Sequence, residues 1–256
     1  MSSWDPGQYL RFGDERTRPS VDLASRIAVE SPSSVVDLGC GPGNSTQVLR
    51  RRWPQARITG LDSSAQMIDA ARRDYPDDEW ILSSIEDWSP ATAFAVVFSN
   101  AALQWLPEHG PLVKHLFGHV SEGGVLAFQI PSADFALVRT LIHEIALDGP
   151  WTSRMDRPLR ALTMQSPEFY YDHLAPEARA LDIWETEYVH VLESPAAIVD
   201  WISSTGLRPF LSVLERESES AEFIARLHER VRQSYPVRVD GRVLFPFKRT
   251  FVIAYR

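Results

Sequence analysis

Five short apolar runs punctuate the first half of the chain, at Val35–Leu38, Arg57–Leu61, Trp80–Ser83, Ala95–Ser99 and Val125–Ile130, each bounded by turn-forming residues. Between them, Ser45–Arg52, Ser64–Arg73 and Leu112–Val120 carry helical patterns. Strand and helix in alternation predict an α/β fold, a parallel sheet joined by crossover helices, with Gly123-Gly124 as the turn before the fifth strand. Ser63-Ser64 is placed to cap the second helix, and Met67, Ile68 and Ala71 form its core-facing stripe.

The second half reads differently. From Ser132 to Ala180 the pattern is helical but irregular, rich in aromatics (Trp151, Phe169, Tyr170, Tyr171) and broken by prolines at 150, 158, 167 and 176. Asp182–Leu192 then alternates like a strand, Ala196–Ser203 and Ser218–Gln233 read as helices, and Phe245–Tyr255 is a strand of strong β formers. Two strands closing a sheet after a helical insertion predict a lid over the ligand crevice, which in open α/β sheets lies beyond the carboxyl ends of the strands. The expected layout is one domain over 1–256: an N-terminal arm (1–30), a core (31–131), a helical insert (about 132–180) and C-terminal strands and helices (181–256). No repeat, low-complexity tract or linker interrupts it.

Composition narrows the partners. Lys+Arg 26 against Asp+Glu 34 gives a net charge of −8 over 256 residues, no footprint for nucleic acid. An anionic substrate would have to be held by locally placed arginines against that field. A single cysteine forms no internal disulfide, which suggests a reducing compartment. With no signal-like N-terminus and no long apolar run, the expectation is a soluble, cytoplasmic protein without a membrane partner. The oligomeric state stays open.

The chemistry concentrates in Val35-Val36-Asp37-Leu38-Gly39-Cys40-Gly41-Pro42-Gly43-Asn44. Alternating glycines between a strand and a helix let the backbone approach a ligand closely, at a helix N-terminus. Asp62, about twenty residues on, stands where an acid takes the two hydroxyls of a ribose. A dinucleotide fingerprint needs glycine at the sixth position of the motif, and Asn44 stands there instead. Asp37 would repel a diphosphate and attract an ammonium. The charge logic favours S-adenosyl-L-methionine (SAM), which has an α-amino group and a sulfonium and no phosphate, over NAD. A tight strand–helix turn without a ligand is the plain alternative.

The runs VVDLGCGPGNST, ITGLDSS, SNAALQWLPEH and GGVLAFQIP together resemble the class I SAM-dependent methyltransferases across about the first 130 residues. WDPGQYLRFGDERTRP, NAALQWLP and DWISSTGLRPFL are similar to signatures of the trans-aconitate 2-methyltransferases, a resemblance that extends over essentially the whole chain. It implies a Rossmann-like, seven-stranded, mostly parallel sheet with an antiparallel C-terminal strand and the helical insertion as lid. It also implies roles. Gly39, Gly41 and Gly43 would lie against the methionine part and ribose of SAM, and Asp37 would accept from the α-ammonium, directly or through water. Asp62 with Ser63 would hold the ribose. The loop after the third strand would hold adenine through Ser84 and Ile85. Many relatives carry Asp at the position of Ser84, so a weaker, uncharged contact is expected there, for which Asp87 could compensate. Asn100 would close the fourth strand facing the departing methyl, its amide reaching the cofactor's amino end or the substrate, the plain alternative being a helix N-cap.

For the substrate side the resemblance implies a small tricarboxylic acid. A carboxylate is ionised at neutral pH, so methyl transfer to it needs no general base, and no catalytic residue is assigned. Arginine forks suit clamping of the other carboxylates. Arg11, Arg16, Arg18, Arg208 and Arg249 are the candidates, with Arg16 and Arg208 first because they lie in the family-like motifs. Gln104 and Trp105 would wall the pocket, Tyr9 would sit in an N-terminal helix over the cofactor with Phe12, and Tyr170 and Tyr171 would supply hydroxyls from the lid. For any one of these, surface charge or core packing is the competing reading. His109, His115 and His119 are not spaced as a metal site, and Cys40 is expected only to pack. Methylation of another small acid or an amine, and an NAD(P)-dependent oxidoreductase, remain as alternatives.

Overall fold

Ser34–Leu38 forms the central strand β1, buried at every position. The computed structural model describes residues 13–133 and 137–256, with side chains from residue 17 on. The other strands are β2 (Arg57–Asp62), β3 (Glu79–Leu82), β4 (Phe94–Asn100), β5 (Val120–Pro131), β6 (Ala180–Leu192) and β7 (Val243–Tyr255). They make one sheet of order β3-β2-β1-β4-β5-β7-β6. Strands β1 to β5 pair in parallel and β7 runs antiparallel to β5. The seven-stranded, mostly parallel sheet with an antiparallel C-terminal strand is therefore as expected. The chain builds outward from β1 to β3 and then returns to the other side for β4. The carboxyl ends of β1 and β4 thus flank the switch point, where such sheets place ligands.

The described helices are α1 (Gly13–Arg26), α2 (Asn44–Arg52), α3 (Ala65–Asp74), α4 (His109–Gly118), α5 (Leu137–Leu147), α6 (Asp156–Leu159), α7 (Pro167–Leu174), α8 (Pro195–Ser203), α9 (Arg208–Leu211) and α10 (Glu217–Ser234). Ser64 caps α3, its hydroxyl accepting from the Met67 N–H at 3.4 Å, and Met67, Ile68 and Ala71 are buried beneath it. One boundary differs instructively. The pair Gly123-Gly124 does not precede β5 but lies within it. Phe94 pairs with Val120 and Val96 with Val125, so the extra β5 residues bulge out, with Gly123 at φ 73°.

The chain divides into two compact units. Of the described residues, the first comprises 13–133, Thr163–Thr186 and Arg249–Arg256, and so holds β1–β5 with α1–α4 and α7. One face of its sheet packs Val36, Val97, Leu126 and Phe128 against Leu116 and Phe117 of α4 and Tyr170 and Leu174 of α7. α1 packs on α2 and β5, and the Arg26 guanidinium lies 4.2 Å over the Trp184 ring while pairing with Asp182 at 2.9 Å. Of the described residues, the second unit comprises 137–162 and Glu187–Lys248. Trp151 and Phe223 form the centre of its core, ring centroids 5.2 Å apart. Arg154 and Arg216 both donate to Glu219, at 2.9 Å each, and hold its carboxyl down to about 2.

Candidate active site

The glycine loop turns at the carboxyl end of β1 with Gly39, Gly41 and Gly43 all in the left-handed region, at φ 72°, 55° and 98°. A Cβ on Gly39 would lie 2.2 Å from the Ala102 Cβ, which fixes the loop against the segment after β4. At Gly41 nothing lies within 4 Å of that position, so the backbone there faces open space. The loop's own donors are taken. Gly39 and Cys40 N–H donate to the Leu61 carbonyl at 2.7 and 3.0 Å, Gly41 N–H to Asp62 Oδ2 at 2.9 Å, and Gly43 N–H to the Cys40 carbonyl at 3.1 Å; Pro42 has none. A diphosphate would need those donors. Cys40 packs with Ile68, Ala71 and Trp80, and burial pushes its thiol up.

Asp37, fully buried in β1, accepts through Oδ2 from the Ser45 and Thr46 hydroxyls of α2, at 2.6 and 2.7 Å. Its Oδ1 has no partner among the described residues. Burial raises the carboxyl to about 6, the two hydroxyls oppose that rise, and Asp62 adds to it. A buried acceptor of this kind is expensive unless something donates to it. Asp62 ends β2 with both oxygens engaged, Oδ1 accepting from Ser64 N–H at 2.8 Å and Oδ2 from Gly41. Its carboxyl is also raised by burial, with those N–H groups pulling it down. Each oxygen keeps a second lone pair for a hydroxyl. Ser63 beside it is exposed.

After β3, Ile85 is buried, and its Cδ1 comes within 3.6 Å of where a Gly39 Cβ would stand, so this loop borders the glycines. Ser84 donates to Asp87 Oδ2 at 2.7 Å and accepts from the Asp87 N–H at 3.1 Å, a local turn that joins the two polar groups expected near adenine.

The end of β4 closes the site. Ser99 donates to the Leu38 carbonyl at 2.8 Å and ties β4 to β1. Asn100 is partly exposed and does not cap a helix; the short 3-10 turn that follows, Leu103–Trp105, has Ala102 at its cap position. Asn100 Oδ1 accepts from Gln129 Nε2 at 2.6 Å, and Gln129 Oε1 accepts from Arg249 Nη1 at 3.1 Å. Gln129 and Arg249 are both buried. Ala101 is left-handed at φ 55°, its N–H donating to the Gln129 carbonyl at 3.0 Å and its own carbonyl accepting from Gln104 Nε2 at 2.7 Å. Gln104 Oε1 is buried without a partner among the described residues.

The structure thus brings Asp37, the three glycines, Asp62, Ile85, Ser84, Asn100 and Gln104 to adjoining strand ends, with Arg249 behind Asn100. Trp105 follows in the 3-10 turn, half-buried. The tyrosines on α7 part company: Tyr171 is exposed, while Tyr170 is fully buried against Phe128. The Tyr170 hydroxyl meets His109 Nδ1 at 2.5 Å, and His109 Nε2 lies 2.9 Å from the Leu103 carbonyl. A carbonyl only accepts, so Nε2 carries the proton and Tyr170 donates to Nδ1; burial lowers His109 and raises Tyr170. Arg208 begins α9 in the second unit, and burial lowers its guanidinium. Arg18 is exposed on α1. Tyr9, Arg11 and Phe12, and the Arg16 side chain, lie outside the described residues. Among the described residues no group of three or more His, Cys, Asp or Glu is placed to hold a metal, and no helix is long and apolar enough to cross a membrane. Sequence reasoning missed Ser45, Thr46 and Gln129; a glutamine inside the apolar run VLAFQI was the available signal.

A 3-2-1-4-5-7-6 sheet with an acid-flanked glycine loop at its switch point defines the class I methyltransferase fold. Residues 35–124 match the methyltransferase domain family. The YcgJ protein of Bacillus subtilis shares the fold at TM-score 0.60 and 12% identity, over 93% of this chain and 98% of that one. Coclaurine N-methyltransferase, solved with N-methylheliamine and SAH, does so at TM-score 0.58 and 15% identity, over 99% and 82%. In sequence the chain is 44% identical over 256 residues to trans-aconitate 2-methyltransferase of Azoarcus sp. (strain BH72), covering 100% of both. It is 43% identical over 256 residues to that of Escherichia coli (strain K12 / DH10B), covering 100% of this chain and 99% of the other. The chain belongs to the trans-aconitate 2-methyltransferase family.

Proposed function

We propose that this protein transfers a methyl group from SAM to a carboxylate oxygen of trans-aconitate, giving the monomethyl ester and S-adenosylhomocysteine. The observation that carries the cofactor reading is Asp37: a buried carboxylate with one oxygen unpaired, beside a glycine loop whose N–H groups are already taken. That arrangement suits an ammonium and not a diphosphate, which disfavours a nicotinamide dinucleotide. Family membership carries the substrate reading. SAM supplies an electrophilic methyl on a sulfonium, open to in-line attack by an oxygen.

The chain's own residues then bind and align. Asp37 accepts from the α-ammonium, directly or through water. The backbone at Gly39, Gly41 and Gly43 gives way to the methionine part and ribose, Asp62 with Ser63 beside it accepts from the ribose hydroxyls, and Ser84 with Ile85 borders adenine. Asn100, Gln104 and Trp105 face the reacting end. An acid with a pKa near 4 arrives ionised, so no side chain has to remove a proton. Holding the oxygen in line with the methyl group is the main source of rate, an effect that reaches many powers of ten. A cytoplasmic location belongs to the same proposal, supported by the single cysteine, buried as Cys40.

Purified protein incubated with methyl-labelled SAM and a panel of di- and tricarboxylic acids, amines and phenols tests this. Base-labile label on trans-aconitate, and not on citrate or isocitrate, is the expected result. Label on an amine or phenol with none on any acid overturns the substrate assignment, and binding of NAD in place of SAM overturns the cofactor.

A further inference from the structure

The register of β4, β5 and β7 places Asn100, Gln129 and Arg249 in one row. Asn100 pairs with Gln129, Gln129 with Phe251 and Pro131 with Arg249. Gln129 is therefore directly opposite Asn100 and diagonal to Arg249 on the same face, a distance that a long side chain spans. The polarity of this row is fixed at its buried end. A guanidinium has donors only, so the Gln129 amide must turn its oxygen to Arg249, as the 3.1 Å contact shows. Its NH2 then faces β4, and Asn100 must answer with its oxygen, at 2.6 Å. The Asn100 amide is left with its Nδ2 edge turned away from the row and without a partner among the described residues. Asn100 is partly exposed, and the segment just after it abuts Gly39.

We propose that Gln129 is a positioning residue which, held by Arg249, fixes the Asn100 amide as a hydrogen-bond donor to a carboxylate. The inference rests on the methyltransferase reading above and deepens it. The donor edge suits an acid, and it opposes an ammonium or a protonated amine in the same place. Two carboxylates can present themselves there, that of the methionine part of the cofactor and that of the acid substrate, and the two are separable by measurement. Arg249 acts in this row from behind Asn100, through Gln129.

The test is Gln129→Glu. An ionised glutamate still accepts from Arg249 but has no proton for Asn100 Oδ1, so the Asn100 amide turns over and presents its oxygen to the ligand. The expected result is a rise of about tenfold or more in KM for the acid, or in Kd for S-adenosylhomocysteine, the scale of a hydrogen bond to a charged group. Whichever constant moves identifies the carboxylate. Gln129→Met, which removes the relay without inverting it, should cost less than Gln129→Glu, and it carries the test if the glutamate variant does not fold. Introduced into Asn100→Ala, either change should have no further effect, because the relay acts only through Asn100. Unchanged constants in the single variants, or an equal additional loss in the Asn100→Ala background, overturn the proposal. Failure of the wild type to methylate any acid instead sinks the substrate reading. The S-adenosylhomocysteine affinity still decides the relay in that case, and an unchanged value overturns it.

Discussion

Asp37 carries opposite demands in the free and bound protein, and its titration exposes them. Burial raises its carboxyl from 3.8 to about 6. The protonated form is thus favoured by folding, a contribution complete below the unfolded value and lost as pH rises through about 6. The ligand-free protein should lose stability across that window, and Asp37→Asn should remove the slope and raise the melting temperature near neutral pH. An ammonium needs the ionised form, so SAM affinity should rise with pH across the same window, which calorimetric titration reads. In Asp37→Asn the affinity should be lower and independent of pH there; a wild-type affinity that is flat through pH 6 would remove Asp37 from the cofactor site. Gly39 is the other residue with no substitute. Alanine there would need φ 72° and would set its Cβ 2.2 Å from that of Ala102, so Gly39→Ala should cost about 1–3 kcal/mol in denaturant unfolding, with loss of SAM binding. A variant of wild-type stability would contradict the close approach of the two loops.

Among the elements, α7 is tied to α4 by one buried pair, Tyr170 with His109. Tyr170→Phe leaves His109 Nδ1 buried without its donor and should destabilise the protein by about 1–3 kcal/mol, while the folded variant keeps its SAM affinity. A drop in affinity would instead place this pair in the site. Adjacent tyrosines on a helix look alike in sequence, and only the phase of α7 decides that Tyr170 turns inward and Tyr171 outward. Elements set by local chemistry were legible: β1 and β2 from apolar runs closed by turn residues, α3 from Ser64. The true start of β5 was not, because a glycine pair reads as a turn, whereas the register shift against β4 absorbs it as a bulge. Asp37 and Asp62 were legible from their distances to the glycines. Gln129 and its tie to Arg249 were not, since that contact spans 120 residues and exists only once β7 has inserted beside β5.

At the scale of the whole molecule, charge opposes the proposed substrate. The chain carries −8, and an acid with three ionised carboxylates approaches against that field. Salt screens such repulsion over about 10 Å at 0.1 M. Raising ionic strength from a low value should therefore increase kcat/KM for the acid and slightly weaken the association of cationic SAM. A steep fall of kcat/KM for the acid would point to a cationic approach path outweighing the net charge. The central claim is the chemical identity of the product. Isolating the product formed from trans-aconitate with isotopically labelled SAM, and locating the label by mass and nuclear magnetic resonance, tests it most directly. The expected product carries one methyl on a carboxylate oxygen, formed mole for mole with S-adenosylhomocysteine and released by mild base. A base-stable methyl on carbon, or no transfer to trans-aconitate while another substrate is methylated, would contradict it.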